Sequence, residues 1–274
     1  MYARIPIEGG EVGVDLAHPV DLALEQDFSA DQPRHFGAPR ASARPFETPG
    51  LGFKGAVSRG SSCNCEVITL IPHCNGTHTE CAGHLTRERL DAWRVTPRGL
   101  VPALLLSVAP EAPAGENSEP PPQAGDELIT QRALERAWPP GAPFVPRALV
   151  IRTLPNREDK RVRDYTAQTP PYLSQQAAAL LVSRGILHLI VDVPSIDRAR
   201  DEGRLTAHRI FFGLPRGATA LAAATRATAT VTELAFVPDA VADGAYLLEL
   251  QVPALAGDAV PSRPLLYPIA ERDR

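Results

Sequence analysis

Residues 72–84 have the sequence PHCNGTHTECAGH, which concentrates imidazole, thiol and carboxyl groups in one short segment. The preceding residues, 66–71, are rich in β-branched side chains and predict an extended chain that leads into it. Alternate side chains of an extended chain share one face, so the potential metal ligands on that face are Cys74, His78, Glu80 and, if the extension continues, His84. Thiolate, imidazole and carboxylate are all ligands of zinc. The spacing therefore predicts a metal site.

Two features of this segment leave the ligand set open. Asn75-Gly76 is a turn signal, and a bulge there would put His73 on the ligand face in place of Cys74. The cysteines also lie close together in sequence, so a zinc module is an alternative that would use Cys63, Cys65, Cys74 and Cys81. Their separations do not match the usual spacing of such modules. Cys63 and Cys65 are instead expected to be small buried side chains.

The composition of the chain restricts its partners. With 274 residues and 44% hydrophobic side chains, it is long enough to bury an ordinary core. A net charge of -4 gives no basic surface for nucleic acid or for an anionic membrane. The N-terminal sequence lacks the pattern of a signal peptide, and no apolar run reaches the length of a membrane span. We therefore expect a soluble, cytoplasmic protein that binds a small molecule, with neither nucleic acid nor membrane as a partner.

The chain is predicted to form a single α/β domain over residues 1–274. Residues 1–53 favour extended chain and loop, because prolines interrupt regular structure, and we expect this segment to wrap over the rest. Residues 109–125, rich in Pro, Glu and Gly, are expected to form an exposed loop. A linker between two domains is the alternative, but the helix and strand patterns continue in the same alternation after it.

Periodicity predicts further elements along the chain. Apolar runs of strand length predict three buried strands, at residues 101–108, 148–153 and 187–193. Polar and helical patterns predict three helices, at residues 86–93, 127–138 and 174–184. Ser174 is the expected N-cap of the last helix, and Gly185 is expected to end it.

The C-terminal third of the chain contains three more predicted elements. The Ala-rich residues 217–229 are predicted to form a helix, because alanine loses little on entering one, and this helix is expected to pack on another subunit. Two strands, at residues 230–236 and 245–252, are predicted to be separated by the hairpin turn signal Asp243-Gly244.

The metal-ligand segment also resembles a family signature. Gly76-Thr77-His78-Thr79-Glu80 with His84 is similar to the His-x-Gly-Thr-His-x-Asp-x-x-x-His signature of the cyclase-like metal-dependent hydrolases, which include bacterial kynurenine formamidase and isatin hydrolase. Further matching blocks follow the family's order: Asp15-Leu16 with His18-Pro19, Tyr172-Leu173-Ser174, Asp192 to Asp197, Ala207-His208 and Thr232-Glu233-Leu234. The resemblance therefore covers most of the chain.

The resemblance implies a ligand set for one or two divalent ions. His78 would bind the first ion, and His208 would hold the second. Glu80 and Glu233 would bridge the two ions. Glu233 has a rival in Glu249, because alternation along the following strand could also turn that side chain inward.

This sequence departs from the family signature at two ligand positions. Cys74 takes the place of the first histidine, and Glu80 takes that of the aspartate. A thiolate binds zinc well and donates more charge than imidazole, so Zn²⁺ is the expected metal and Mn²⁺ the alternative.

The resemblance further implies the fold and the assembly. The family has an α/β fold with a mixed, barrel-like central sheet flanked by helices, a swivelling β/β/α arrangement. Its members usually assemble as a homodimer or a homotetramer.

The family's activity implies hydrolysis of a carbon-nitrogen bond in an amide, formamide or lactam of a small aromatic substrate. Metal-activated water would attack the carbonyl carbon, with His84 as general acid and base. N-formylkynurenine, which is hydrolysed by arylformamidases in tryptophan catabolism to kynurenine, is the leading candidate substrate. Phe36, Phe46 and Phe53 lie in the segment that helps to form the aromatic pocket of the formamidases, so they are expected to bind substrate. The alternative is a catalytically weakened family member that binds a metal and a ligand, because Cys74 and Glu80 depart from the signature.

Overall fold

The computed structural model describes residues 1–8 and 10–270. These residues contain fifteen β-strands: β1 (Tyr2–Ile7), β2 (Gly10–Asp15), β3 (Val20–Asp21), β4 (Ser42–Pro45), β5 (Glu66–Thr69), β6 (His78–Cys81), β7 (Leu100–Val108), β8 (Leu128–Ile129), β9 (Ala148–Thr153), β10 (Tyr172–Leu173), β11 (His188–Val191), β12 (Thr230–Glu233), β13 (Gly244–Gln251), β14 (Ala259–Pro261) and β15 (Arg263–Ala270). They also contain four α-helices: α1 (Ala92–Val95), α2 (Gln131–Ala137), α3 (Gln175–Ser183) and α4 (Thr206–Phe212). Short 3-10 helices occur at Pro49–Leu51, Val57–Arg59, Ala82–Leu85, Glu158–Arg161, Tyr165–Ala167 and Leu221–Ala223.

Most of the strands join one large mixed sheet. Its strand order is β1-β2-β15-β13-β7-β9-β11-β12-β6-β14, and β3 also pairs with β15. The neighbouring strands β7, β9, β11 and β12 are parallel, whereas β6 pairs with β12 in the antiparallel direction. Two small sheets, β4 with β5 and β8 with β10, lie outside it. The prediction of an α/β fold with a mixed central sheet is confirmed.

The parallel strands are buried on both faces, as continuous apolar runs predict. Every residue of β9 and of β11 is buried. On β7, Leu104 and Leu106 belong to a core that includes side chains of α2, α3 and α4, whereas Ala103 and Leu105 belong to a second core. The helices therefore cover one face of the sheet. None of the helices in the described part of the chain is both long enough and apolar enough to span a membrane.

Several locally encoded elements are confirmed. The strand predicted at residues 148–153 is β9, and the strand predicted at residues 101–108 is β7. The Ser174 hydroxyl accepts a hydrogen bond from the Ala177 amide and caps α3. Gly185 follows this helix with a φ of 76°, a left-handed conformation that glycine adopts without strain. The helix predicted at residues 127–138 starts later, at α2, because the residues of β8 pair with β10 instead.

Two predicted helices are wrong. Residues 217–229 contain only the 3-10 turn Leu221–Ala223, and α1 covers only the end of the helix predicted at residues 86–93. The backbone amides of these segments donate to distant carbonyl groups, Arg226 to Phe212 at 3.1 Å and Arg87 to Thr219 at 2.8 Å. These contacts replace the local hydrogen bonds that a helix needs, so tertiary structure overrides the propensity of the alanines.

The predicted hairpin around Asp243-Gly244 is also wrong. β12 lies between β11 and β6, whereas β13 lies between β15 and β7. The Asp243 side chain accepts hydrogen bonds from the amide and the hydroxyl of Ser107. The turn therefore leads β13 to β7, and the two predicted strands are not neighbours.

The N-terminal segment contains more regular structure than predicted. β1 and β2 form an antiparallel hairpin, which joins the large sheet through β15. Further along, the backbone of Arg34 exchanges hydrogen bonds with Arg163 and Tyr165, so this part of the segment lies across the rest of the chain. Residues 109–125 form a loop whose side chains are exposed or half-buried.

Candidate metal centre

β6 and β12 bring three ionisable side chains together. The strand register places His78 directly opposite Glu233 and Glu80 opposite Val231. Because side chains alternate along a strand, His78 and Glu80 share a face. His78 Nε2 lies 3.4 Å from Glu233 Oε2. Since Glu233 ends β12 and its parallel neighbour β11 ends close by, the cluster lies at the carboxyl ends of parallel strands, where α/β proteins usually bind ligands.

The chain turns sharply before β6 and fixes the orientation of the first histidine. Gly76 has a φ of 75°, and a Cβ atom at this position would lie 2.3 Å from Nε2 of Gln26. The Gly76 carbonyl accepts a 3.0 Å hydrogen bond from Nδ1 of His78. The lone pair of the neutral imidazole is then on Nε2, which faces the carboxylates.

α4 contributes the second histidine of the cluster. Asp197 accepts hydrogen bonds from the backbone amides of Ala207 and His208, and its Oδ2 lies 2.7 Å from Nδ1 of His208. This leaves Nε2 of His208 at 2.6 Å from Glu80 Oε1 and 3.5 Å from Glu233 Oε1. A backbone amide, that of Ile196, donates to Glu233 Oε1 at 2.8 Å. Both the imidazole and the carboxylate are thus held by groups outside the cluster.

Three side chains of this cluster, His78, Glu80 and Glu233, fit one divalent metal ion, and His208 adjoins them through its contacts with both carboxylates. His78, Glu80, His208 and Glu233 are each at most 3% exposed. Within the described residues, His78 Nε2, Glu80 Oε1 and His208 Nε2 are buried without a well-oriented hydrogen bond. Burying such groups without a partner is costly. Donors about 2.0–2.1 Å from zinc lie about 3.4 Å apart in a tetrahedron, close to several of the separations found here. His78, Glu80 and Glu233 have ligand atoms near enough to one another to hold one ion.

The electrostatic balance of the cluster favours charged carboxylates. Burial by itself would lower the pKa of His208, but Glu80 and Asp197 hold that pKa well above its usual value. Burial would likewise raise the pKa of Glu233, but His208 and His78 hold it far below its usual range. Without an ion the carboxylates are therefore balanced by protons on His208 and His78, and a divalent cation can take the place of those protons.

A second group of polar side chains adjoins this cluster. Asp258 Oδ2 lies 2.9 Å from His73 Nε2 and 3.2 Å from His84 Nδ1. The two imidazole rings stack with their centroids 4.4 Å apart. His73 Nε2 is also 3.6 Å from Glu80 Oε2, so Glu80 connects the two groups. The ligand atoms of His73, Glu80 and His84 are close enough to hold an ion as well.

A cavity of about 630 Å³ opens over both groups, and its lining includes Glu80, His84, His208 and Glu233. Residues 35–37 and Tyr165-Thr166 form part of its wall, and residues 198–203 form another. Residues 35–37 are held in place because the Gly37 amide donates to Thr166 Oγ1 at 3.2 Å. The cavity is therefore built by segments far apart in the sequence.

A model of the Cyclase family matches residues 14–198 of the chain. The chain belongs to the Cyclase family. No curated protein sequence matches it.

Solved structures with this family's fold cover nearly the whole chain. A potential metal-dependent hydrolase with cyclase activity has a TM-score of 0.59 at 17% identity, over 91% of this chain and 97% of that one. An isatin hydrolase bound to the product analogue thioisatinate has a TM-score of 0.58 at 16% identity, over 92% and 93% of the two chains. Isatin hydrolase A from Labrenzia aggregata, bound to benzyl benzoate, has a TM-score of 0.56 at 14% identity, over 91% and 93%. These similarities show a shared fold.

Four of the predicted ligands in this Cyclase-family chain lie together: His78, Glu80, His208 and Glu233. His84 lines the cavity beside them, although it belongs to a 3-10 helix instead of an extended chain. The rival carboxylate, Glu249, instead accepts a 2.7 Å hydrogen bond from the Tyr267 hydroxyl.

Cys74 lies outside the two groups of close ligand atoms found in the described residues. The predicted extension from Cys74 is wrong, because the chain turns through residues 72–77 and β6 starts only at His78. Cys74 still lines the cavity, where burial and the charge of Glu233 raise the pKa of its thiol. Ligation by Cys74 stays a prediction.

In the described residues, Cys63, Cys65 and Cys81 form no group of close ligand atoms with Cys74. Cys63 and Cys65 are exposed, which corrects the expectation that they are buried, and Cys81 is fully buried. Both exposed cysteines lie just before β5, which pairs with β4 in a small sheet outside the large one.

Of the three phenylalanines predicted to bind substrate, Phe36 lines the cavity. Phe46 and Phe53 pack against each other with ring centroids 6.4 Å apart, and neither belongs to the lining of this cavity. The reason is that β4 pairs with β5 in a separate small sheet, which carries Phe46 away from the cavity.

Three further residues of the site were missed by sequence reasoning: His35, Asp197 and Asp258. The His35 ring is buried in the cavity wall, and its Nδ1 has no hydrogen-bond partner within residues 1–8 and 10–270. Asp197 lies in a block that matches the family, which was a usable signal. Asp258 has no such signal, because its contact with His84 joins residues 174 positions apart.

Proposed function

We propose that this chain is a metal-dependent hydrolase that cleaves a carbon-nitrogen bond in a small, aromatic amide, formamide or lactam. The observation that carries the proposal is the set of buried donor atoms without well-oriented hydrogen bonds, on His78, Glu80 and His208, of which Glu80 and His208 line the same cavity as His84. The fold shared with isatin hydrolases supports the reaction class. We name N-formylkynurenine as the first substrate to test, which would make the activity arylformamidase-like.

The metal site of the proposal consists of His78, Glu80, His208 and Glu233, with Zn²⁺ as the preferred ion and Mn²⁺ as the alternative. A divalent ion held there supplies Lewis acidity for the attack of water on a carbonyl carbon. Glu80 reaches both polar groups, since its two oxygens lie toward His208 and His73. A second ion next to His73 and His84 is therefore an additional option for this centre.

His84 is the proton-transferring residue of the proposal. It takes a proton from the attacking water and delivers one to the departing nitrogen as the carbon-nitrogen bond breaks. Burial alone would lower the pKa of His84, but Glu80 and Asp258 raise it above its usual value. An imidazole in this environment can hold the proton between the two steps.

The cavity supplies the substrate specificity of the proposal. Phe36 and Tyr165 line it together with apolar parts of Pro194 and Leu205. A volume of about 630 Å³ suits one small organic molecule. We expect the aromatic ring of the substrate to lie against Phe36. As a separate proposal, we expect the enzyme to act as a homodimer or homotetramer.

A ligand-binding protein is the second candidate function. The observation that favours it is the position of Cys74, which replaces the family's first histidine and lies outside both groups of close ligand atoms. Such a protein would hold the metal and a ligand but would not turn the ligand over.

The test combines metal analysis with hydrolysis assays on protein purified without added metal. Wild type, His78→Ala and His84→Ala are compared with His18→Ala, whose exposed ring belongs to neither polar group. We expect near-stoichiometric metal in all but His78→Ala. Hydrolysis of N-formylkynurenine, formanilide or isatin should be lost in His78→Ala and reduced at least about 10²-fold in His84→Ala.

The three outcomes separate the hypotheses. If wild type holds metal and its hydrolysis depends on His84, the result supports the hydrolase. Tightly held metal without turnover of any of these substrates supports the ligand-binding protein. Wild-type protein that contains no metal and takes up neither Zn²⁺ nor Mn²⁺ contradicts both.

A further inference from the structure

We propose that Asp258 is a positioning residue, which fixes the tautomer and the direction of the His84 ring for proton transfer. The inference rests on the proposed function, because it assigns a partner to the residue that moves the proton. It adds a carboxylate that lies outside the metal-ligand segment and belongs to no sequence motif.

The contact between the two side chains determines the tautomer. Asp258 Oδ2 lies 3.2 Å from Nδ1 of His84. A carboxylate only accepts hydrogen bonds, so Nδ1 of His84 carries the proton and donates it. The lone pair of the neutral ring is then on Nε2, and Nε2 is the nitrogen that can take a proton from water in the cavity.

The backbone around Asp258 holds this carboxylate in place. The Asp258 carbonyl accepts a 3.0 Å hydrogen bond from the Cys81 amide, which is at the end of β6. The preceding carbonyl, that of Gly257, accepts a 2.8 Å hydrogen bond from the Ala92 amide at the start of α1. Asp258 is therefore anchored to the same strand that carries His78 and Glu80, which preserves its geometry relative to the metal site.

His73 restrains the pair from the other side. Its Nε2 lies 2.9 Å from the same Asp258 oxygen, and its ring stacks on His84 at an interplanar angle of 30°. Stacking opposes rotation of the His84 ring, and the nearby His73 ring limits movement of the carboxylate toward it. A base held by a third group in this way is the usual arrangement for efficient proton transfer.

The first measurement reads the tautomer directly and does not depend on activity. Protein labelled with ¹⁵N at histidine and loaded with Zn²⁺ is examined by long-range ¹H–¹⁵N NMR, and the His84 signals are assigned by their loss in His84→Gln. We expect the Nδ1-protonated tautomer in wild type and its loss in Asp258→Ala. Asp31→Ala, which removes an exposed carboxylate elsewhere, is the matched control and should keep it.

The second measurement is a double-mutant cycle on turnover. Asp258→Ala should lower kcat about 10²-fold with little change in KM, and it should cause no further loss in the His84→Ala background. Metal content, measured for each variant, should remain that of wild type, which separates positioning from ligation of a second ion.

Three results would overturn the inference. The first is an Nε2-protonated His84 in wild type, and the second is an unchanged tautomer in Asp258→Ala. The third is the loss of one metal ion per chain in Asp258→Ala, which would make the carboxylate a ligand. If wild type hydrolyses none of the substrates, the proposed function fails, but the NMR experiment still decides whether Asp258 orients His84.

Discussion

At the scale of single residues, the three histidines at the centre of the site share one arrangement of the ring nitrogen Nδ1. In each of them Nδ1 faces a fixed oxygen, that of Gly76 for His78, Asp197 for His208 and Asp258 for His84. In the neutral form of each ring the lone pair is therefore on Nε2. Metal binding and proton abstraction both need that lone pair, so the acceptors prepare the site for either task.

The identity of the second carboxylate is tested by a matched pair of substitutions. Glu233→Gln keeps the side-chain volume but removes a charge that lies 3.4 Å from His78 Nε2, so we expect the bound metal to fall below about a tenth of the wild-type content. Glu249→Gln removes the rival carboxylate, which contacts Tyr267 instead, and should leave the metal in place. Elemental analysis of both proteins decides between the two residues, and metal loss in Glu249→Gln alone would reverse the assignment.

The role of Cys74 is tested in the same way. Because its thiol lies outside the groups of close ligand atoms, we expect Cys74→Ala to retain its zinc. Alkylation of wild-type protein provides the control, since the exposed Cys63 and Cys65 should react whether or not zinc is bound. Loss of zinc in Cys74→Ala, or protection of Cys74 by zinc, would establish the ligation that the resemblance implied.

At the scale of elements, His188 is a buried ionisable residue that links two strands away from the metal site. It opens β11, directly opposite Thr230 of β12, and its Nδ1 lies 2.9 Å from Thr230 Oγ1. Burial first, and then Arg147 and Arg226, lower the pKa of His188 to about 4. The ring is therefore neutral in the folded protein.

This pKa makes the stability of the fold dependent on pH. The unfolded chain binds a proton at His188 below a pKa of about 6.5, whereas the folded chain does so only near pH 4. The contribution is fully present above pH 6.5 and is lost as the pH falls toward 4. Between pH 7 and pH 5 the loss is about 2 kcal/mol.

Urea unfolding at pH 7 and pH 5 measures this loss. His188→Gln should be less stable than wild type at pH 7 but should lose about 2 kcal/mol less between the two pH values. An equal loss of stability in His188→Gln and wild type would show that His188 is not the group responsible.

The elements that the sequence predicts well are those whose contacts are local. β9 follows from an apolar run, and α3 follows from a cap and a terminal glycine that act within one helix. The failures have long-range causes. The Ala-rich residues 217–229 are held by carbonyl groups of α4 and its end, and β12 and β13 pair with strands from other parts of the chain.

The same distinction between local and long-range contacts decides which residues of the site the sequence predicts. The spacing of His78 and Glu80 on one strand is local, and the sequence predicts it. His208 and Glu233 could be placed only through the resemblance, because α4 and β12 meet β6 in three dimensions alone. Asp258 belongs to no motif and contacts His84 across 174 positions, so neither periodicity nor spacing could reveal it.

At the scale of the whole molecule, the N-terminal segment completes the cavity. Arg34 Nη2 lies 2.7 Å from Asp164 Oδ2, and the backbone hydrogen bonds between residues 34 and 163–165 hold the two segments together. The amide of His35 also donates to the Cys74 carbonyl at 3.0 Å. The segment that was predicted to wrap over the chain thus fixes one wall of the cavity relative to the metal-ligand segment.

A bound ion would stabilise the whole fold, because its proposed ligands come from β6, α4 and β12. Without a cation, the buried carboxylates of Glu80 and Glu233 are balanced only by the imidazoles of His208 and His78, which a metal ion would hold as ligands instead. An ion present at about 100 times its Kd adds about 2.7 kcal/mol to the free energy of unfolding. For a chain of this length we therefore expect EDTA to lower Tm by roughly 5–10 °C. The Glu233→Gln protein should have the same Tm with and without EDTA, since it is expected to hold no ion. Elemental analysis confirms that EDTA has removed the metal. If the wild-type Tm then stays constant, the ion lies outside this buried cluster.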